Sequence, residues 1–322
     1  MGDEKNEIHG SNEIATSYHA AFSAYHSEFS VAQQALVKAG VNVQRIEPFF
    51  KKYAWGTVKD VAGYVIRTDK EVIVAYRGTA SYADIFLRDL KHGGMTSTSI
   101  KFDQTGEKSL LAHSGFVTDY NSSKESMQNA LKVVQAEKLG PLPVVFTGHS
   151  LGGAVAQLAA MDYDTTNNNE DTKIQAVHTF GAPRVFSSGS SADSYNAKLQ
   201  NKTLHIIVDR DPISKIPPAS FGFQRTGSCA KIQTSDFAGL EKHSRLAYEK
   251  IVTEIKKTTV NLSDIMKEAV KNSTSMWADF RLWIGSLPAK AVKSFWNEVQ
   301  TNAVLSAAES TAAIQDAAAT PG

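Results

Sequence analysis

The sequence predicts an α/β fold, with a mostly parallel central sheet flanked by helices. Three observations carry this. The runs "PVVFTG" (143–148), "IQAVHTFG" (174–181) and "TLHIIV" (203–208) are short, apolar and β-branched, as strands covered on both faces are. Helix-period segments separate them, and strands alternating with helices are the pattern of parallel strands joined by crossovers. A chain of 322 residues with 42% apolar content can bury the core of one large domain of this kind. The expected organisation is a core domain over 1–250, N-terminal helix included, and a helical C-terminal extension over 251–322.

The elements follow in order. Tyr18, Phe22, Tyr25, Phe29, Ala32 and Leu36 recur at alternating steps of four and three, which predicts one helix over 11–39 with Gly40 as its stop. "VAGYVIRTDKEVIVAYRG" (61–78) reads as two β-rich runs turning at Thr68 to Lys70. Residues 115–139 read as a helix ending near Gly140-Pro141. The strand at 143–148 is followed directly by a helix over "SLGGAVAQLAAMDY", and "DTTNNNEDT" (164–172) reads as a polar loop. Helical pattern resumes after Glu241. From Ser263 onward come helical segments, a break at "GSLP" (285–288) and an alanine-rich tail. In that tail Trp277, Phe280, Trp283, Ile284 and Leu287 share one helical face, and Val292, Phe295, Trp296 and Val299 another. Tryptophan-rich amphipathic helices lie in bilayer interfaces. Residues 263–322 hold five Lys/Arg against six Asp/Glu, which gives anionic lipid little to attract, so packing on the core or another chain is the expected role.

Charge and cysteine content exclude several classes. Lys and Arg number 34 against 33 Asp and Glu, so no basic excess points to nucleic acid. Cys229 is the single cysteine, which rules out an intrachain disulfide. The start "MGDEKNEIHG" has no apolar signal region, and no run is long enough to span a bilayer. The expected location is the cytoplasm, or outside the cell by export without a classical signal peptide. No Lys-Ser/Thr follows the glycines near residue 150 and no G-x-G-x-x-G occurs, so no nucleotide cofactor is expected. No metal is expected either, and nothing specifies a homo-oligomer.

The chemistry is concentrated at "VVFTGHSLGGAVAQLAA" (144–160). A serine hydroxyl is a poor nucleophile unless a base lies beside it and it projects clear of its own backbone. A sharp strand-to-helix turn achieves that projection. The turn brings together the residues two before and two after the serine, here Gly148 and Gly152. It also aims helix-start N–H groups at the serine oxygen, so the amide of Leu151 is a candidate oxyanion donor. Ser150 is the candidate nucleophile.

In such a site the acid and then the base follow the serine along the chain. Of nine histidines only His178, His205 and His243 come after Ser150. His178 and His205 fall inside expected strands, as satisfied core histidines do. His243, in "LEKHSRLAY" just before a helix, is the candidate base. "TLHIIVDRDPISKIP" offers two acids at a strand end, Asp209 and Asp211. Spacing favours Asp211 only modestly, since Asp209 also suits a structural cap.

Six blocks extend the pattern: "IVAYRGT" (73–79), "HSGFVTDYN" (113–121), "VFTGHSLGGAVAQLAA" (145–160), "TFGAPRV" (179–185), "DPISKIP" (211–217) and "HSRLAY" (243–248). In this order the chain resembles the class 3, fungal-type triacylglycerol lipases, over roughly residues 60–250. The resemblance implies the α/β-hydrolase fold and hydrolysis of lipid esters through an acyl-enzyme, at a lipid–water interface. It implies Ser150 as nucleophile, Asp211 as acid, His243 as base, and Thr79 beside Leu151 as oxyanion donor. It also implies a lid over 82–90 bearing Ile85, Phe86 and Leu87, with Asp89 orienting Thr79. The same family includes phospholipases A1 and feruloyl esterases, so both stand as alternatives. An acyltransferase or a non-catalytic lipid-binding module is the more distant reading. Two departures concern the acid loop: Ser214 stands where the family often has proline, and only 32 residues separate acid from base.

Overall fold

The computed structural model describes residues 10–52, 60–79, 96–102, 109–136, 140–167 and 169–257. Numbered along the chain, its strands are β1 (Arg45–Lys51), β2 (Asp60–Arg67), β3 (Val72–Tyr76), β4 (Ser97–Lys101), β5 (Ser109–His113), β6 (Val144–His149), β7 (Ile174–Phe180), β8 (Phe186–Ser187), β9 (Thr203–Val208), β10 (Phe223–Gln224) and β11 (Ser228–Ile232). The central sheet has seven strands in the order β1-β2-β3-β6-β7-β9-β11. β1, β2 and β3 pair antiparallel, and every pair from β3 onward is parallel. This is the mostly parallel sheet that the alternating pattern predicts. A smaller antiparallel sheet runs in the order β10-β8-β5-β4.

The helices are α1 (Ser11–Ser23), α2 (Phe29–Lys38), α3 (Ser114–Gln135), α4 (Leu151–Thr166), α5 (Ser190–Leu199) and α6 (Arg245–Lys257). Side chains alternate across each strand. Val72, Val74 and Tyr76 of β3 and Phe146 of β6 join Phe116 and Tyr120 of α3 and Val155 and Leu158 of α4 in one core layer. Ile73, Ala75 and Val145 point the opposite way, to Ala20 of α1 and Leu36 of α2. Farther along that second layer α1 and α6 meet over β9, where Tyr18, Phe22, Tyr248 and Ile251 enclose Ile206 and Val208. Coverage on both faces explains why these strands read as unbroken apolar runs.

Three expectations are adjusted. The helix expected over 11–39 is two helices, broken between Ser23 and Phe29. The amides of Tyr25 and His26 fall back on Phe22 and Ser23, three residues earlier, which tightens and ends the first helix. The Tyr64 hydroxyl then holds the His26 carbonyl (2.9 Å), and Phe29 is turned outward, 43% exposed. The four-and-three spacing thus bridges a bend. The segment 164–172 is not all loop: α4 continues to Thr166, and Glu170–Thr172 form a 3-10 turn. At the C-terminal end α6 runs across position 250 to Lys257. The candidate lid residues Ile85, Phe86 and Leu87, Asp89, and the tryptophan-bearing segments of 263–322 lie outside the described residues. Among the described residues no helix is long and apolar enough to cross a membrane.

Candidate active site

The site lies where the parallel strands end. Ser150 follows β6 and has φ 59° and ψ −130°, a conformation strained for a residue with a side chain. Its amide bonds the Phe180 carbonyl at the end of β7 (2.9 Å), and its side chain does not cap α4. The turn is as close as the spacing predicts. A β-carbon on Gly148 would sit 2.3 Å from the carbonyl carbon of Gly152, and one on Gly152 would sit 2.3 Å from the Tyr76 oxygen of β3. Only glycine fits either position. The Ser150 oxygen is shut off from solvent and makes no hydrogen bond among the described residues.

Asp211 and His243 come together with no exposed surface on either residue. The Asp211 amide closes a turn onto Val208 at the end of β9 (2.9 Å), with Arg210 inside it at φ 63°. That left-handed residue reverses the chain just before Asp211. Its Oδ2 accepts a hydrogen bond from His243 Nδ1 (2.7 Å), and its Oδ1 accepts from the Ile213 amide (2.9 Å). The Ser214 hydroxyl donates to the Asp211 carbonyl (2.8 Å), so the residue standing in the family's proline place ties the loop by a hydrogen bond instead. Asp209 points elsewhere: its carboxylate lies 3.6 Å from Arg210 Nε and its amide bonds Ile232 of β11. The geometry therefore separates the two carboxylates that spacing leaves open.

Three neighbours shape the surroundings of His243. A β-carbon on Gly181, one residue past the Phe180 that holds Ser150, would lie 2.8 Å from Asp211 Oδ2 and 2.9 Å from His243 Cε1. His149, the residue before the serine, faces the His243 ring at 4.5 Å, and its Nε2 bonds the His243 carbonyl (3.0 Å). A carbonyl only accepts, so Nε2 carries the proton and Nδ1 accepts from the Tyr25 hydroxyl (2.8 Å). Burial first, and the neighbouring His243 second, hold His149 well below the usual histidine range and keep it neutral. Tyr248 donates its hydroxyl to Asp211 Oδ2 (2.6 Å) and accepts from the Val208 amide (3.3 Å). Burial, then the charge of Asp211, push this hydroxyl well above its ordinary range, so it stays a donor.

Leu151 opens α4, so its amide is among the helix-start donors that have no intrahelical partner. Thr79 follows Gly78, whose β-carbon would meet the His149 oxygen at 2.6 Å, which puts the Thr79 backbone close to the serine turn. His178 and His205 are satisfied core groups, the first bonded to the Ser17 hydroxyl (2.8 Å), the second to Thr179 (2.6 Å) and the Thr226 carbonyl (2.8 Å). His113 is buried between Phe116 and Phe223 in the small sheet. Sequence reasoning assigns no role to Tyr248, although it closes the "HSRLAY" block five residues after His243. Among the described residues no group of three or more His, Cys, Asp or Glu is placed to hold a metal ion.

Residues 73–221 match the family model described as "Lipase (class 3)". Over these residues the chain resembles the class 3 lipases. A lipase of Rhizopus niveus is 32% identical over 180 residues, covering 53% of this chain and 41% of that protein. A chloroplastic phospholipase A(1) of Arabidopsis thaliana is 30% identical over 213 residues, covering 59% of this chain and 45% of that protein. The chain thus spans less than half the length of these curated relatives. Among solved structures, Rhizomucor miehei triacylglyceride lipase superposes with a TM-score of 0.51 at 21% identity, covering 72% of this chain and 92% of that one. At that identity the superposition shows the fold, which is the α/β-hydrolase fold. The hydrogen-bonded pair reaches past the family match: Asp211 lies within 73–221, but His243 and Tyr248 lie beyond it.

Proposed function

We propose that this class 3 lipase is a serine hydrolase of carboxylic esters, lipid esters in particular. The observation that carries the reading is the buried Asp211–His243 hydrogen bond of 2.7 Å set beside a strained serine turn. The Asp211 carboxylate can only accept, so it fixes the imidazole proton on Nδ1 and leaves the accepting lone pair on Nε2. Ser150 Oγ attacks the ester carbonyl while His243 Nε2 takes its proton. The amides of Leu151 and Thr79 receive the oxyanion, each worth roughly 3 kcal/mol in the transition state. His243 returns the proton to the departing alcohol, and water repeats the cycle on the acyl-enzyme. Asp211 stays ionised and steadies the imidazolium, with Tyr248 and the Ile213 amide sharing its charge. In this reading Ile85, Phe86 and Leu87 cover the site in water and meet lipid when it opens, and the segment beyond α6 is a helical extension of the core.

The plant relative named a phospholipase A(1) favours a second reading, in which the ester is the sn-1 bond of a phospholipid. Hydrolysis of triacylglycerols, phosphatidylcholine and soluble esters of increasing chain length, with and without micelles, separates the two. A lipase releases fatty acid from triacylglycerol emulsions faster than from phosphatidylcholine, and a phospholipase reverses that order. Hydrolysis of soluble esters alone would overturn the lipid assignment, and no hydrolysis of any ester would overturn both.

A further inference from the structure

The acid loop carries a carboxylate with no exposed surface, and the 32-residue stretch from acid to base contains an arginine that no step above uses. Arg225 follows β10 and reaches that loop with its guanidinium. Its Nη2 donates to the Ala182 carbonyl (2.9 Å) and to the Ser214 carbonyl. Ala182 follows the Gly181 that rests against Asp211 and His243, and the Ser214 hydroxyl holds the Asp211 carbonyl. One guanidinium thus joins the end of β7 to the loop bearing the acid. Part of the residue's surface stays open, but Nη1 is cut off from solvent and makes no hydrogen bond among the described residues. The segment around it is pinned: Thr226 Oγ1 bonds Gln157 (3.3 Å), the Thr226 carbonyl bonds His205, and the Gly227 amide bonds Asn196 (2.8 Å).

A cation inside a protein is retained where an anion balances it. The groups that face Arg225 electrostatically are Cys229 on β11, Tyr248 on α6 and Asp211. Burial pushes the Cys229 thiol up and the Tyr248 hydroxyl far up, so both are neutral. His205 on β9 is held down to about 3 by burial and by Arg225 itself, and His149 on β6 is held neutral as well. Lys231 on β11 and Arg184 are the other cations near Cys229, and Arg184 spends its Nη1 on the carbonyls of Lys215 and Pro217 farther along the loop. Of the groups around Arg225, Asp211 is the one that carries the opposite charge.

We propose that Arg225 is a positioning residue for the triad: it ties the Asp211 loop to the end of β7 and supplies the buried positive charge that balances the Asp211 carboxylate. The inference rests on the triad assigned above. When the base is neutral, the Asp211–His243 pair has charge −1; when the base is protonated, the pair has charge 0. A fixed cation favours the first state, the one that accepts the serine proton. Arg225 therefore extends activity toward lower pH.

The test is the pH profile of kcat/KM on a soluble short-chain ester, with melting temperature measured in parallel on the full chain. Arg225→Lys keeps the charge and loses the fork. Arg225→Gln keeps an N–H donor and loses the charge. The acid limb should move up by about half a unit to one unit in Arg225→Gln and stay within about 0.2 units of wild type in Arg225→Lys. Cys229→Asp, which leaves Arg225 in place and pairs it with a new carboxylate, should move the limb the same way as Arg225→Gln. It keeps the inference testable if Arg225→Gln does not fold. A limb unmoved by Arg225→Gln or by Cys229→Asp, or moved equally by Arg225→Lys and Arg225→Gln, overturns the inference and leaves the triad standing. A wild-type profile with no acid limb between pH 5 and 9 overturns the triad reading, and this one with it.

Discussion

Replacing Asp211 by Asn changes one atom from oxygen to nitrogen in a carboxylate that accepts three hydrogen bonds. Oδ2 takes His243 Nδ1 and the Tyr248 hydroxyl, and Oδ1 takes the Ile213 amide. Asparagine has one accepting oxygen, so one side must fail. If the amide oxygen keeps Ile213, its NH2 faces His243 and forces the imidazole proton onto Nε2, where it cannot accept from Ser150. If the oxygen keeps His243, the NH2 meets the Ile213 N–H, two donors in a dry site. That conflict costs roughly 1–3 kcal/mol of stability. The first orientation avoids it, because Tyr248 can turn its hydroxyl to accept. The expected outcome is a small loss of melting temperature with kcat down about 10⁴-fold, roughly 5 kcal/mol of transition-state stabilisation. Asp209→Asn is the control, since its partner is an exposed arginine and such pairs contribute at most about 1 kcal/mol. Initial rates on a short soluble ester, with thermal melts of both variants, make the measurement. An Asp211→Asn enzyme within tenfold of wild type, or Asp209→Asn as the more damaging change, would refute the reasoning.

Two further expectations bear on the fold. Glu71 is buried at the β2–β3 turn, and burial, then Glu13, push its carboxyl from 4.5 up to about 7, so the folded state binds the extra proton between those values. Stability then falls as pH rises through that window, by up to about 3 kcal/mol, and Glu71→Gln should melt higher than wild type at pH 8 and alike at pH 4.5; an equal slope in both proteins would contradict this. Gly152→Ala places a β-carbon 2.3 Å from the Tyr76 oxygen and 2.9 Å from the Arg77 carbonyl carbon. The end of β3, which leads into Thr79, must shift, so stability should drop by roughly 1–3 kcal/mol and kcat/KM by more than tenfold, and a variant with normal melting and turnover would count against the tight turn.

How much of this the sequence discloses depends on where each signal resides. β6, β7 and β9 are legible because both faces are buried, leaving continuous apolar runs. The serine turn is legible because its geometry excludes side chains at two fixed offsets. β1 is hidden by Pro48, which an edge strand tolerates and a central strand does not. β8 and β10 are two residues each, too short for any period. The break after Ser23 is hidden because the apolar spacing of the two helices happens to stay in phase. Asp209 and Asp211 look alike in sequence, and only the left-handed turn at Arg210 decides which meets the histidine. Tyr248 and Arg225 are invisible for a related reason: their partners are 37 residues away in one case and backbone carbonyls in the other. A tyrosine in an amphipathic helix and an arginine in "FQRTGS" read as ordinary packing and surface until the chain folds.

The central claim is that Ser150 is activated by His243. The direct measurement is covalent labelling by a fluorophosphonate probe, with the modified residue located by peptide mass spectrometry. Ser150 should take the label stoichiometrically, Ser150→Ala should take none, and His243→Ala should slow labelling at least a hundredfold, the low end of what a positioned general base contributes. Label on another residue, or labelling of Ser150 at an unchanged rate without His243, would contradict the account.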